Sequence, residues 1–446
     1  MPSTLFKDAL VVNEGKLREC DVRVREQRIE LIADAIPARA DDHIVEASGR
    51  WLLPGMVDDQ VHFREPGLTH KACIATESRA AVAGGITSYM EMPNVNPATT
   101  SIEALEHKYS IAARDSAANY AFYLGATEHN LDQIKALNPT EACGVKVFMG
   151  ASTGNLLVEN PKALEAIFRE SPVLIATHCE SGPVMAQNLA KLGRSGEAIR
   201  IEDHPVIRNE EACYASSSYA VSLAKKYGSH LNVLHITTAK ELSLFEPGPM
   251  LGKKITAEAC VHHLWFCDED YQTHGNLIKC NPAIKKKSDR DAIVRALKTG
   301  QIDIIATDHA PHTLAEKQLP YHEAPAGLPL VQDALLSVIE HAQQKRMTIE
   351  QVVEKVSHNP ATRYRVAERG FIREGYFADL VLVDPNATTT VSNENALYLC
   401  GWTPFDSVTF SSRIGGTWVN GEQVFDGLEV LDKPNVAKRL AFNSIV

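Results

Sequence analysis

Hydrophobic and polar residues follow two different patterns along the chain. At both ends, short apolar runs alternate with polar positions and turn residues, which is typical of antiparallel strands. These runs span residues 9–12, 20–24 and 29–32 near the start and residues 379–383, 407–411 and 416–419 near the end, where the turn Asn420-Gly421 follows. We expect the two ends to pair into one small β-rich module.

The middle of the chain contains short apolar runs that are each followed by a stretch with helical spacing, which indicates βα units. Eight such runs occur, at residues 56–63, 87–92, 120–125, 144–149, 173–178, 232–236, 255–259 and 302–307. Helical periodicity is clearest at residues 101–115, 160–170, 210–227 and 288–299. Eight units in succession favour an α/β fold with a closed barrel over an open sheet. The sequence therefore predicts a (β/α)8 TIM-like barrel over residues 53–365, and a small β-sandwich module formed by residues 1–52 and 366–446.

Charge and hydropathy limit the kinds of molecule that the protein is expected to bind. The 446 residues include 45 Lys and Arg against 56 Asp and Glu, a formal net charge of −11, so the surface should repel nucleic acids and acidic membranes. No apolar run approaches the roughly 18 residues that cross a bilayer, and the first residues lack the pattern of a signal peptide. We expect a cytoplasmic protein that acts on a small molecule. The sequence leaves open whether it forms a homo-oligomer.

The cysteines do not form a recognisable framework. Nine of them are scattered between Cys20 and Cys400 without a CxxC pair. This spacing argues against a disulfide scaffold and against a zinc ribbon. We interpret them as mostly buried free thiols.

Polar residues stand where several predicted barrel strands end, which is where such barrels carry their chemistry. Gln60, His62 and Arg64 alternate along the first strand and therefore face the same side. Lys146 lies on the otherwise apolar fourth strand, where a buried ammonium is costly unless it is paired or chemically changed. A single strand-end histidine is more often a hydrogen-bonded core residue. Nitrogen and oxygen ligands converging from four strands nevertheless predict a site for Zn²⁺ or a similar ion, at His62, His178, His235 and Asp308.

These residues lie in motifs that are spread over nearly the whole chain. The segments are DDQVHFREPG, MEMPN, GVKVFMG, THCE, LHIT, CNPAIK, TDHAPH and GYFADLVLVD. With these motifs the sequence resembles the cyclic amidohydrolases of the amidohydrolase superfamily, and most closely the dihydroorotases.

The resemblance implies a centre of one or two zinc ions. It implies that His62 and Asp308 bind the first ion, that His178 and His235 bind the second, and that Lys146, carbamylated by CO₂, bridges them. Asp308 would also be the catalytic base for a metal-activated water. The family's first histidine is replaced by Gln60, whose carbonyl oxygen is a weaker candidate ligand, so the first site should bind its ion less tightly. The adjacent Asp58 and Asp59 could compensate, but strand alternation should point Asp59 away from the barrel axis.

The implied reaction is the reversible cyclisation of N-carbamoyl-L-aspartate to L-dihydroorotate in pyrimidine biosynthesis. The resemblance implies that Arg64, Asn94 and His312 bind the substrate's exocyclic carboxylate and that Asn281 contacts the ring. An arginine suits a carboxylate because its planar fork donates two parallel hydrogen bonds. The alternative for Arg64 is an ion pair with Glu65 or Glu91.

Two other functions remain open. A hydantoinase, dihydropyrimidinase or allantoinase would share the metal centre but accept rings that lack the carboxylate. A catalytically inactive dihydroorotase-like scaffold would explain Gln60 but not the retained lysine, histidines and aspartate.

The sequence also predicts the setting of three segments near the site. We expect residues 313–327 to form a surface loop that covers bound substrate. Residues 285–287 should be a solvated basic run, and His262 and His263 should be structural residues on opposite sides of a strand.

Overall fold

The computed structural model describes residues 3–150 and 156–444. The chain begins with five strands, β1 (Ser3–Asn13), β2 (Lys16–Arg25), β3 (Arg28–Ala33), β4 (Asp42–Glu46) and β5 (Trp51–Pro54). Strands β1, β2 and β3 pair in antiparallel order. On its other edge, β1 pairs first with β4 and then, beyond a bulge between Phe6 and Ala9, with β5. The sheet therefore branches at β1.

Nine parallel strand segments follow and form the barrel. They are β6 (Met56–Val61), β7 (Ile86–Glu91), β8 (Asn119–Phe122), β9 (Leu124–Gly125), β10 (Val145–Met149), β11 (Ile175–Cys179), β12 (Leu231–Val233), β13 (Ile255–Cys260) and β14 (Ile304–Ala306). Segments β8 and β9 are one strand interrupted at Tyr123, whose N–H donates to Glu91 O at 3.0 Å. The ring closes between its first and last strands, because His62 N donates to His309 O at 2.7 Å. The predicted eight-stranded barrel is confirmed.

Fourteen α-helices lie in the described residues. They are α1 (Ile74–Ala83), α2 (Ile102–Asp115), α3 (Leu131–Lys135), α4 (Pro161–Glu170), α5 (Gly182–Leu192), α6 (His204–Ile207), α7 (Glu210–Tyr227), α8 (Val261–Trp265), α9 (Tyr271–His274), α10 (Lys287–Thr299), α11 (Leu314–Lys317), α12 (Ala334–Gln343), α13 (Ile349–Val353) and α14 (Asn359–Arg363). The four helices expected from periodicity are α2, α4, α7 and α10. Polar caps begin three of them, since the side chains of Ser101, Asn160 and Asn209 accept backbone N–H groups of the first turn. Among the described residues, no helix has both the length and the apolar character needed to cross a membrane.

Five more strands follow, β15 (Leu380–Asp384), β16 (Thr389–Thr390), β17 (Thr409–Phe410), β18 (Arg413–Val419) and β19 (Glu422–Phe425), and three of them, β15, β18 and β19, join the first sheet. Strand β15 pairs with β5, which gives the order β19-β18-β15-β5-β1-β2-β3 with β4 on β1. Phe6 and Trp418 touch at a ring-centroid distance of 4.8 Å, although two strands separate β1 from β18 in that order. The sheet therefore folds into two facing layers, as expected for a β-sandwich.

One expected strand of this module lies elsewhere. Residues 407–411 contribute only the short β17, which pairs with β16 in a separate two-stranded sheet. Residues 1, 2, 445 and 446 of the predicted module lie outside the described residues. The module boundaries at residues 52 and 366 stay a prediction.

Apolar side chains fill the lower part of the barrel and leave its upper end for the polar residues. The buried set includes Val57, Met90, Ala121, Tyr123, Leu174, Ile304 and Tyr364. Val57 precedes Gln60 on β6, and Leu174 immediately precedes β11, which carries His178. The interior is therefore packed below the point where each strand ends.

Candidate active site and metal centre

A cavity of about 520 Å³ opens at the carboxyl ends of the barrel strands. Its walls include all ten residues that the sequence singled out for metal binding, catalysis or substrate binding, namely Gln60, His62, Arg64, Asn94, Lys146, His178, His235, Asn281, Asp308 and His312. The structure therefore brings the predicted set together in one place, and the individual roles are taken up as proposals below.

Three of these residues hold a left-handed backbone conformation at or near the end of a strand. The φ angles are 67° at Arg64, 42° at His235 and 51° at Asp308. Such angles cost a residue other than glycine about 1–3 kcal/mol and are concentrated at functional sites in proteins. The barrel therefore holds these three side chains in directions that a relaxed strand would not give them.

His62 has its ring orientation fixed by two oxygen atoms. Nδ1 lies 2.8 Å from Asn94 Oδ1, and Nε2 lies 3.0 Å from Asp308 Oδ1. An amide oxygen only accepts, so Nδ1 carries the hydrogen and the neutral ring directs the lone pair of Nε2 at the carboxylate. Burial lowers the pKa of His62, although the neighbouring Asp308 carboxylate opposes this shift. Two lone pairs that face each other in this way suit a cation between them.

His178 is oriented in the same manner by Glu180. Its Nε2 lies 3.0 Å from Glu180 Oε2, so Nδ1 presents its lone pair to His235 Nε2, which is 3.0 Å away. Burial raises the pKa of Glu180, but Arg208 and His178 together lower it further, and the carboxylate stays ionised. Burial and the neighbouring His178 lower the pKa of His235. The nitrogen spacing is close to the roughly 3.3 Å edge of a tetrahedral site with bonds of 2.0–2.1 Å.

Lys146 stands between these groups without a partner for its charge. It is 1% exposed, and its Nζ lies 4.8 Å from the centre of the Phe148 ring. Within the described residues, no carboxylate forms an ion pair with it. Burial lowers the pKa of Lys146 to about 8. A fraction of the side chain is therefore a neutral amine near neutral pH, which is the form that reacts with CO₂.

Gln60 does not present its oxygen to the site. Its Nε2 donates to Asp308 Oδ1 at 3.1 Å, while its Oε1 accepts from Cys260 Sγ at 3.7 Å. Asp58 does not replace the missing ligand either, because its carboxylate accepts from Thr307 Oγ1 at 2.6 Å and from Thr307 N at 3.1 Å. The first predicted metal site therefore keeps His62 and Asp308 but lacks the further ligand that the histidine of the motif would supply.

The expectation that Asp59 points away from the barrel axis is wrong. Its Oδ2 accepts from Asn232 Nδ2 at 3.2 Å, and Asn232 lies on β12, across the barrel. The reason is an irregularity in the pairing of β6 with β7 between Asp58 and Val61. This bulge shifts the alternation by one residue, so Asp59 and Gln60 both face inward.

The opposite wall of the cavity carries a buried cation. Arg64 donates from Nε to Pro311 O at 3.0 Å, and its Nη2 lies 3.0 Å from His312 Nε2. The alternative of an ion pair with an adjacent glutamate is wrong, because Glu91 pairs with Lys108 at 2.7 Å and Glu65 accepts from Ile74 N. Burial lowers the pKa of Arg64 to about 10, so the guanidinium stays charged at neutral pH.

Asn281 and Asn94 complete this side of the cavity. Asn281 Oδ1 is buried and has no hydrogen-bond partner among the described residues. Asn94 uses its Oδ1 to orient His62. The pocket therefore offers one unused acceptor beside one unpaired cation.

Sequence reasoning missed three residues that support the site. Arg208 lines the cavity and contacts Glu180 at 2.5 Å, and Glu180 orients His178. Lys71 Nζ lies 3.1 Å from His312 Nδ1. The motif THCE contains Glu180, and its position two residues after His178 was the sequence signal for its role. No local pattern marked Arg208 or Lys71.

Two further expectations about nearby residues are wrong. His262 and His263 lie in helix α8 rather than on a strand, and their ring centroids are 4.0 Å apart. Consecutive residues of a helix are about 100° apart, so both rings can turn to the same side. Lys285 is 6% exposed and donates to Ala283 O, so only Lys286 and Lys287 of the basic run are exposed.

Residues 313–327 are held in place by a capped helix and by hydrogen bonds from a buried lysine. It contains the short helix α11, which begins with a capping box between Thr313 and Glu316. Lys317 is 1% exposed and donates to the carbonyls of Lys279, Pro325 and Gly327 at 2.9–3.1 Å. Gly327 lines the cavity. The expected surface loop beside the site is confirmed; it contains one short helix, its last residues form a wall of the cavity, and its closure over substrate stays a prediction.

Known proteins share this architecture and align with most of the chain. L-hydantoinase from Arthrobacter aurescens superposes with a TM-score of 0.92 at 23% identity, covering 99% of this chain and 100% of that one. A sequence model of the amidohydrolase family matches residues 51–424. The chain therefore belongs to the amidohydrolase family and is an enzyme of that family.

The relatives that match in sequence carry two different enzyme names, dihydroorotase and allantoinase. A dihydroorotase from Halobacterium salinarum is 31% identical over 427 residues, covering 95% of this chain and 96% of the relative. A dihydroorotase from Carboxydothermus hydrogenoformans is 30% identical, covering 87% and 89%. An allantoinase from Bacillus velezensis is 29% identical, covering 94% and 93%.

Proposed function

We propose that the chain is a dihydroorotase that interconverts N-carbamoyl-L-aspartate and L-dihydroorotate. The observation that carries this proposal is Arg64, a buried guanidinium that lines the cavity without a carboxylate partner among the described residues. A buried charge is costly unless it is compensated, and the exocyclic carboxylate of dihydroorotate would compensate it. The two dihydroorotases at 30–31% identity support the same substrate.

The residues present fit a zinc centre. His62 and Asp308 would hold one ion, His178 and His235 the other, and Lys146, as a CO₂-derived carbamate, would bridge them. The carbamate would replace a buried cation without a partner by an anion that suits a centre of divalent ions. When bound, a divalent ion at this position lowers the pKa of a coordinated water from 15.7 to about 7 and polarises a carbonyl group.

In this proposal, Asp308 transfers the proton and other residues of the cavity bind the substrate. Burial raises the pKa of Asp308, but His62 lowers it further, so the carboxylate is ionised and suited to accept a proton. It would return that proton to the leaving nitrogen of the ring. Arg64 and His312 would bind the carboxylate with Asn94 beside them, and the unused Oδ1 of Asn281 would accept a ring N–H.

Two observations weigh on the alternatives. The allantoinase relative supports a ring without the carboxylate, but such a ring leaves the charge of Arg64 uncompensated. An inactive scaffold has no physical reason to keep an unpaired buried lysine beside two converging pairs of ligands. Both features therefore favour an active dihydroorotase that works on a small molecule, while the cytoplasmic location expected from the sequence stays a prediction.

The test is a substrate panel on purified, metal-analysed enzyme. We expect turnover of dihydroorotate and carbamoylaspartate to exceed that of hydantoin, dihydrouracil and allantoin by orders of magnitude. Preference for a ring without the carboxylate would assign the chain to the alternative class. No turnover of any ring by enzyme that holds its full metal content would favour the scaffold.

A further inference from the structure

A second cluster of metal-ligating side chains lies behind the substrate pocket. His262 and His263 come from helix α8, and Cys280 from the loop after α9. One ligand atom from each residue lies within 4.8 Å of the other two. The three side chains are 0%, 4% and 1% exposed, so water does not compete for them. None of the three belongs to the zinc centre described above.

The nitrogen atoms of this cluster are largely unpartnered. Among the described residues, neither ring nitrogen of His262 makes a hydrogen bond of good geometry, although the backbone of Thr307 lies close enough to affect its pKa, and Nδ1 of His263 makes none. His263 Nε2 lies 3.0 Å from Pro282 O, and Cys280 Sγ lies 3.2 Å from the same carbonyl. Buried polar atoms are nearly always satisfied in folded proteins, so three free ring nitrogens in two touching rings require an explanation.

We propose that His262, His263 and Cys280 form a second metal site, which binds a borderline-soft divalent ion such as Zn²⁺. Imidazole and thiolate are the ligands such ions prefer, whereas Mg²⁺ and Mn²⁺ prefer oxygen. Because His263 Nε2 donates to the carbonyl of Pro282, the ring would offer its unpartnered Nδ1, and Cys280 Sγ lies beside the same ring, 3.6 Å from Nε2. This site is independent of the proposed function, because it shares no ligand with it.

The protonation states agree with this chemistry and set its proton balance. Burial lowers the pKa of His262 to about 4, so its ring is neutral and offers a lone pair. Burial raises the pKa of Cys280 to about 12. Binding therefore breaks the S–H bond, forms a sulfur–metal bond and releases one proton to solvent.

An ion at this place would fix the wall of the substrate pocket. Cys280 directly precedes Asn281, which lines the cavity. The ion would tie the loop of Cys280 to helix α8 and so hold Asn281 in position. We expect its loss to raise KM for substrate more than it lowers kcat.

Cobalt substitution tests the site on the full-length protein. Thiolate bound to Co²⁺ gives a near-ultraviolet charge-transfer band, and the proposed zinc centre contains no cysteine ligand. We expect titration with Co²⁺ to produce this band with a stoichiometry of one. The band should be lost in Cys280→Ser and kept in Cys400→Ser, which alters a half-buried thiol outside the cluster.

His262→Gln provides a second variant if Cys280→Ser does not fold. It should weaken Co²⁺ binding at the thiolate site at least tenfold while the metal content of the zinc centre stays unchanged. Natural protein that gives no charge-transfer band at saturating Co²⁺ would overturn the site. So would a band that persists in Cys280→Ser or binds equally tightly in His262→Gln. None of these readouts needs turnover, so they stand apart from the dihydroorotase assay.

Discussion

The amide nitrogen of Gln60 lies 3.1 Å from Asp308 Oδ1, the same oxygen that faces His62 Nε2 at 3.0 Å. Gln60 therefore stands at a position where the family has a ligand, but acts as a hydrogen-bond donor to a neighbouring ligand. The pair His178 and His235 has no such substitution. This difference predicts two unequal metal sites in one centre.

Replacing Gln60 by histidine should remove that inequality. Imidazole is the better ligand for zinc, so Gln60→His should raise the affinity of the first site. In the natural protein, titration with a mild chelator should remove one ion well before the other. Gln344→His, at an exposed helix end, should leave this behaviour unchanged. Two ions leaving together from both the natural protein and Gln60→His would contradict the asymmetry.

Lys146→Ala should lose bound metal together with activity. The alanine removes the only group that the proposal places between the two ions. Short carboxylic acids added with zinc should restore part of both, because they supply the missing bridging oxygens. Lys355→Ala, which removes another buried lysine, should keep its metal. An intact mass that shows an unmodified Lys146 in fully active, metal-loaded enzyme would refute the bridge.

Arg64→Met should lower kcat/KM for dihydroorotate without changing metal content. Leaving a buried charge of the substrate unpaired costs about 2–5 kcal/mol, which corresponds to a loss of roughly 30-fold to several thousand-fold. Arg64→Lys keeps the charge but not the two-pronged geometry, so it should recover only part of the loss. Turnover of dihydroorotate by Arg64→Met at the natural rate would make Arg64 a structural residue.

Most of the ten pocket residues could be predicted because two simple rules apply to them, whereas Asn281, which lies in a loop away from any strand end, came from the motif resemblance alone. Parallel barrel strands bring their carboxyl ends to one rim, and alternation along a strand puts Gln60, His62 and Arg64 on one side. Both rules depend only on local sequence. The motif resemblance then supplied the roles, which remain proposals.

The errors occurred where local geometry departs from these rules. A bulge turns Asp59 inward, and a helix begins at Val261, where strand alternation had been assumed for His262. Lys285 is buried and donates to Ala283 O, although its place in a run of three lysines suggested a solvated side chain. Arg208 reaches Glu180 across 28 positions of sequence, and a single sequence carries no signal for such a contact.

The β-sandwich should lose stability in acid through Asp42. Its carboxylate accepts from Arg23 Nη2 at 2.8 Å and Nε at 3.2 Å. Burial raises the pKa of Asp42, but hydrogen bonds from Arg23 and Ser3 lower it more, from 3.8 to about 2. A lowered folded-state pKa gives stability that is present above about pH 4 and is lost as the pH falls through about 2.

Asp42→Asn should therefore reduce the free energy of unfolding at neutral pH by about 3–5 kcal/mol, since it breaks a buried ion pair. The difference from the natural protein should shrink as the pH falls below about 4. Asp34→Asn, whose pair with Arg18 is exposed, should cost at most about 1 kcal/mol. Urea unfolding at two pH values measures both. An Asp42→Asn penalty that is independent of pH would show that its ionisation is not the source.

Residues 313–327 should become more mobile when Lys317 is replaced by an uncharged residue. Its ammonium joins Lys279, Pro325 and Gly327 through their carbonyls, so Lys317→Met leaves three buried acceptors without a donor. We expect faster amide exchange in residues 318–327 and a higher KM, because Gly327 and His312 line the cavity. Lys286→Met, on an exposed lysine of a neighbouring loop, should change neither. In the natural protein, bound substrate should slow exchange in the same segment if it closes over the site. Exchange that is slow without ligand, and unaffected by ligand or by Lys317→Met, would show that the segment is a fixed wall whose position does not depend on this lysine.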